Sequence, residues 1–128
     1  MESLYPMLLV ADVARSAAYY RDKLGFAFLY PEFAEAHLAG DFAMLQRGGV
    51  IIQLKALPDG RPNPNVLADP LARQDAFIHA ADPDALCAEL AARDVRIVEP
   101  VMDTAWGTRE FRFADDSGYV FACGHLRS

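Results

Sequence analysis

The 128-residue chain holds three histidines, His37, His79 and His125, and two cysteines, Cys87 and Cys123. The side chains from which metal sites and thiol nucleophiles are built are therefore few. Asp75 and His79 lie four residues apart on what reads as a strand, which sets them on one face. At about 3.3 Å per residue they are about 13 Å apart, too far to share an ion. No His-x-x-x-His pair occurs on a helical stretch, and there is neither a Gly-x-Ser-x-Gly elbow nor a glycine-rich phosphate loop. Cys87 falls on the apolar face of a helical segment and Cys123 alternates away from Ala122, so both read as core thiols. The one tryptophan, Trp106, precedes Gly107 in a loop, where its ring either stacks on a flat ligand or packs.

Composition narrows the classes. Apolar residues make up 53% of the chain and charged residues 23%, the balance of a soluble globular domain and not of a disordered one. Eighteen acidic against twelve basic residues give a net charge of −6, which argues against a nucleic-acid binder. No apolar run approaches the roughly 20 residues needed to cross a bilayer. Met1 to Pro6 has no basic stretch leading into an apolar one, as a secretory signal would. The expectation is a cytoplasmic protein with no membrane or nucleic-acid partner.

The elements that must position any site are written twice. Tyr5 to Val10 reads as a strand, and Asp12 is suited to cap a helix whose apolar face is Val13, Ala17, Tyr20 and Leu24, with Gly25 closing it. Seventy residues on, Asp75 to Ala80 reads as a strand, and Ala81-Asp82 repeats Ala11-Asp12. Pro83 falls at the first helical position, and Leu86, Cys87 and Leu90 supply the apolar face. Phe42–Arg47 aligns with Phe111–Asp116 and Gly49–Leu54 with Gly118–Cys123, both at an offset of 69 (111 − 42 and 118 − 49). Hairpins are expected at Gly48-Gly49 and Ser117-Gly118.

The reading is an α+β fold of two βαβββ modules in pseudo-twofold arrangement, their curved sheets around a cleft. All 128 residues form one domain: module one spans 1–56, a linker 57–74, and module two 75–128. The linker holds four of the eight prolines and reads equally as a plain surface connection or as a lid or dimer-facing loop.

The chain resembles the vicinal oxygen chelate superfamily, which holds glyoxalase I, extradiol dioxygenases and bleomycin-resistance proteins. The resemblance is carried by VADVARSAAYYRDKLGF from Val10 to Phe26, by Phe42 to Gly49, by Asp84 to Val95, and by WGTREFRFADDSGY from Trp106 to Tyr119. One departure is visible: the family's Asp-Pro-Asp-Gly turn is Asp115-Asp116-Ser117-Gly118, which keeps the glycine. Catalytic members chelate a divalent metal from four strand positions, and the resemblance puts these at Tyr5, Gln53, Asp75 and Ala122. Ala122 has no donor, Gln53 offers a weak carbonyl oxygen, and Tyr5 would have to lose a phenolic proton with a pKa near 10. One ordinary ligand in four is not a transition-metal site. No metal and no cofactor is expected.

Alternation puts Tyr5, Met7, Leu9, Ile51, Gln53, Lys55, Asp75, Phe77, His79, Val120, Ala122 and Gly124 on the face of those four positions, with Glu110 and Arg112 beside them. Phe42, Met44, Phe111 and Phe113 are expected under the helices. Asp75 either pairs with Arg112 or awaits a cation, the pair being favoured. The expected ligand-binding residues are Tyr5, Gln53, Asp75, His79, Trp106, Glu110 and Arg112, with no catalytic residue. The chain looks most like the bleomycin-resistance branch. That resemblance implies a metal-free homodimer that binds, and sequesters, a small cationic or aromatic compound such as an antibiotic in a dimer cleft. The alternative is a divergent metal-dependent lyase, isomerase or dioxygenase in which Tyr5, His79 and Glu110 serve as acid and base.

Overall fold

A computed structural model of the chain describes residues 1–127. The chain forms two compact units, Met1–Asn63 and a second beginning at Pro64. Residues 64–74, read above as the end of a linker, thus pack with the second unit.

The first unit runs β1 (Met7–Leu9), α1 (Val13–Asp22), β2 (Ala27–Phe28), a 3-10 turn (Pro31–Phe33), α2 (Ala34–Ala39), β3 (Phe42–Arg47) and β4 (Val50–Lys55). Its sheet has the order β1-β4-β3-β2, with β1 parallel to β4 and the other pairs antiparallel. The second unit opens with α3 (Asn65–Ala68) and a 3-10 turn (Pro70–Ala72). It continues with β5 (Ala76–His79), α4 (Pro83–Ala92), β6 (Arg96–Asp103), β7 (Thr108–Ala114) and β8 (Val120–Leu126), in the order β5-β8-β7-β6. Each unit is therefore a βαβββ module with its first strand parallel to its last, as the repeat implied.

Both helix starts follow from their caps. The Asp12 carboxylate accepts from the Arg15 amide and that of Asp82 from the Ala85 amide, each at 3.0 Å. The α1 face predicted from spacing, Val13, Ala17, Tyr20 and Leu24, is buried throughout. Both first strands are shorter than expected, and Tyr5 lies ahead of β1 rather than in it. Pro6 has no amide to give a ladder, although its carbonyl accepts from the Gln53 amide at 2.9 Å.

The register corrects one alignment. Gln53 faces Met44 and Met7, whereas Ala122 faces Arg112 and Phe77. Because Gln53 and Ala122 hold the same place, Met44 corresponds to Arg112 and the β3-to-β7 offset is 68 (112 − 44), not 69. The cause is the hairpin. Gly48-Gly49 joins the directly paired Arg47 and Val50, while three residues, 116–118, lie inside the Asp115 to Tyr119 hydrogen bond. Phe42 and Met44 consequently lie on the Gln53 face and not under α1, and Phe42 packs there against His37 of α2. The buried residues of that sheet are Ala43, Leu45, Ile52 and Leu54. Phe111 and Phe113 do lie under α4, with Phe121 and Cys123.

Candidate site on the second sheet, on the face away from α4

Strand β7 has two distinct faces. Arg109, Phe111 and Phe113 point to the helix side, where the Arg109 guanidinium grips the α4 residue Asp84 with two 2.8 Å hydrogen bonds. Thr108, Glu110, Arg112 and Ala114 take the other side, beside Val120, Ala122 and Gly124 of β8. Edge strand β6 would present Glu99 to the helix side if its pairing were regular. Instead, Ile97 faces Phe113 and Glu99 faces Arg112, so two steps on β6 match one on β7. The extra residue, Val98, is a β-bulge that turns Glu99 onto the Arg112 face.

Five side chains close a polar circuit there. The Trp106 Nε1 donates to Glu110 Oε1 at 3.1 Å. Arg112 Nη2 lies 3.7 Å from that oxygen, while its Nη1 donates to Glu99 Oε2 at 3.0 Å. Arg73 Nη2 donates to both Glu99 oxygens at 2.9 Å and its guanidinium lies over the Trp106 ring, 5.6 Å from the centroid. Gln74 completes the Arg112 shell, its Oε1 accepting from Nε at 3.0 Å. Glu110 and Arg112 are 1% and 4% exposed, so their mutual pairing offsets the cost of burying either charge. The hydrogen bond from Arg73, and the charges of Arg112 and Arg73, hold the Glu99 carboxyl below its ordinary range against the opposing effect of burial.

The turn that carries Trp106 is stiff. Thr104 and Thr108 exchange main-chain and hydroxyl hydrogen bonds across it, and Gly107 takes φ of 92°, open to glycine at little cost. Arg73 has φ of 66°, a conformation costing on the order of 1–3 kcal/mol for a residue with a Cβ. Its ion pair with Glu99 and its contact with Trp106 hold it there.

Next to this circuit lies a cavity of about 440 Å³, between the 64–73 segment and the β6–β7–β8 face. Val66, Leu71 and Val98 give it apolar walls, and Arg73, Arg96 and Glu99 its charges. Arg73 and Glu99 belong to both circuit and cavity. Trp106, 57% exposed, is tied to them through Arg73.

Of the residues expected from sequence, Trp106, Glu110 and Arg112 come together. Asp75 does not join them. Its two carboxylate oxygens accept from the Asn65 and Val120 amides, each at 2.8 Å, so the expected pairing with Arg112 gives way to a main-chain tie. His79 lies exposed on β5, and Tyr5 and Gln53 belong to the first unit. His37 on α2 packs edge-on to the Phe42 ring at 5.1 Å. Burial pushes the Cys87 thiol pKa up. Arg73, Gln74 and Glu99 were not anticipated. The one available signal was Pro100 after Glu99, since proline in a strand marks an edge or a bulge.

The four chelating positions implied by the resemblance do not fit a divalent transition metal. Ala122 has no donor, and both oxygens of Asp75 already accept main-chain amides. Among the described residues no three His, Cys, Asp or Glu side chains gather where they would hold an ion. None of the described helices is long and apolar enough to cross a membrane.

Comparison with solved structures places this arrangement among known folds. TioX from Micromonospora sp. ML1 is 19% identical, with 98% of this chain and 99% of that one covered and a TM-score of 0.74. The bleomycin-binding protein from bleomycin-producing Streptomyces verticillus, complexed with copper(II)-bleomycin, is 24% identical, with 100% and 97% covered and a TM-score of 0.68. A glyoxalase/bleomycin resistance protein/dioxygenase from Nocardioides is 18% identical, with 100% and 85% covered and a TM-score of 0.70. No curated protein sequence matches the chain. The family model of the Glyoxalase/Bleomycin resistance protein/Dioxygenase superfamily matches residues 4–123. With that match over nearly the whole chain, and two βαβββ units each pairing its first strand with its last, the chain belongs to the glyoxalase/bleomycin resistance protein/dioxygenase superfamily.

Proposed function

We propose that the chain is a metal-free binding protein that holds a small, largely apolar or aromatic compound on the second unit and releases it unchanged, working as a homodimer. The observation that carries this reading is the cavity of about 440 Å³, apolar-walled with a few convergent charged groups, the usual make-up of a small-molecule site. Trp106, stacked under Arg73 and half open to solvent, supplies a flat surface beside it. The bleomycin-binding relatives support the reading by analogy of fold. A cationic ligand loses support, because Asp75 is occupied by amides and Glu99 and Glu110 are each met by an arginine. Dimerisation is supported by Met7 and Phe77, which stand 50% and 46% exposed on the edge strands of their sheets.

The test uses the single tryptophan as reporter. Titration with bleomycin and with a panel of aromatic antibiotics is expected to give a saturable change in Trp106 emission for at least one compound, with a matching rise in melting temperature. Absence of both for every compound, or turnover abolished by a chelator, defeats the reading.

A further inference from the structure

We infer that the cavity takes an amphipathic anion, a compound with an apolar body and one carboxylate or sulfonate group, and that Arg96 is the residue that recognises the negative charge. This rests on the proposed binding at the cavity and names the chemistry of its ligand. Six charged groups bear on the cavity and its circuit, and one of them, Asp75, has both carboxylate oxygens occupied by the Asn65 and Val120 amides. Arg73 and Arg112 are satisfied by Glu99 and Glu110 at 2.9 to 3.7 Å, which balances two positive charges against two negative ones. Arg96 is left over. It lines the cavity, and no hydrogen-bond or ion-pair partner meets its guanidinium among the described residues.

The register explains why Arg96 faces this way. It pairs with Ala114 on β7, and Ala114 shares its face with Arg112 and also lines the cavity. The bulge at Val98 then brings Glu99 onto the same face, where it meets Arg73 and Arg112 and leaves Arg96 uncompensated. Val66, Leu71 and Val98 would cover the apolar body of the ligand. A planar guanidinium beside them can grip a carboxylate or sulfonate with two parallel hydrogen bonds. In a chain of net charge −6, a locally uncompensated arginine is also what lets an anion approach. Arginine on an edge strand can instead serve to discourage edge-to-edge pairing. That role predicts no preference for anions at the cavity.

Two dyes of nearly the same shape separate these cases: 8-anilinonaphthalene-1-sulfonate, and N-phenyl-1-naphthylamine, which lacks the sulfonate. With the intact chain, the sulfonate dye is expected to bind saturably and more tightly than the neutral one, and to weaken as salt is raised. Arg96→Ala should weaken the sulfonate dye about tenfold, the size expected for a charge-assisted hydrogen bond, and leave the neutral dye unchanged. Arg96→Lys should keep most of the affinity. Val98→Trp, which fills the cavity, should abolish binding of both dyes. If both dyes bind equally well and Arg96→Ala changes neither, the assignment to an anion is overturned while the cavity reading stands. If neither dye binds saturably, or Val98→Trp affects neither, the cavity reading falls and the inference with it.

Discussion

Asp75 occupies a position where the resemblance implied a metal ligand, and the structure uses it differently. One carboxylate oxygen accepts the first amide of α3 and the other the first amide of β8, so a single side chain ties the 64–73 segment to the sheet. Asp75→Ala removes the acceptor of both amides, that of Val120 lying in a buried residue. The expected loss is about 1–3 kcal/mol of unfolding free energy in a urea titration, with Asp75→Asn closer to the parent. Glu99 titrates in the opposite setting, between two arginines. Its carboxyl pKa is lowered on folding, so its contribution is fully present above the unfolded value of about 4.3 and fades as pH falls through the folded one. Melting temperature against pH should therefore drop less steeply below about pH 4 in Glu99→Gln than in the parent; parallel curves would refute the coupling.

At the level of elements, β7 and β8 are held close by a glycine. A Cβ at Gly124 would meet the Arg109 carbonyl oxygen and come within 2.6 Å of the Glu110 Cβ. The close approach lets the Glu110 side chain lie buried where Trp106 can reach it. Gly124→Ala must push the strands apart or displace Glu110. The expected cost is about 1–3 kcal/mol, accompanied by a shift in Trp106 emission as its hydrogen bond is lost. An unchanged spectrum with unchanged stability would show that the strand pair yields freely. The equivalent face of β3 and β4 pairs Phe42 with Lys55, Met44 with Gln53 and Ile51 with Gln46, so one scaffold carries a mixed apolar and polar face in the first unit and a buried Glu–Arg pair in the second.

For the whole molecule, the boundary between the units predicts where the chain is open to attack. Residues 64–74 are held to the second unit through Asn65, Gln74 and Arg73, whereas 57–63 precede the boundary and include a turn closed by the Gly60 amide on the Leu57 carbonyl. Brief proteinase K digestion, followed by mass spectrometry of the fragments, should place the first cuts within 57–63. First cuts within 65–73 would mean that this segment is not held as the structure has it.

Local patterns alone specified much of this protein. The caps at Asp12 and Asp82, the α1 face of Val13, Ala17, Tyr20 and Leu24, the doubled βαβββ order and the sharing of one face by Glu110 and Arg112 all follow from spacing. Each depends on interactions between residues near one another in the chain or on the strict alternation of a strand. What only the tertiary structure decided lies where one residue is added to a ladder or a partner comes from far along the chain. A hairpin longer by one residue moved Phe42 and Met44 to the other face, since a single-residue shift reverses every side chain on a strand. The bulge at Val98 did the same for Glu99, and folding then brought Arg73 to Glu99 and Gln74 to Arg112 from 26 and 38 residues away. The choice of two main-chain amides over an arginine for Asp75 is likewise a matter of which donors arrive within 2.8 Å once the chain has packed.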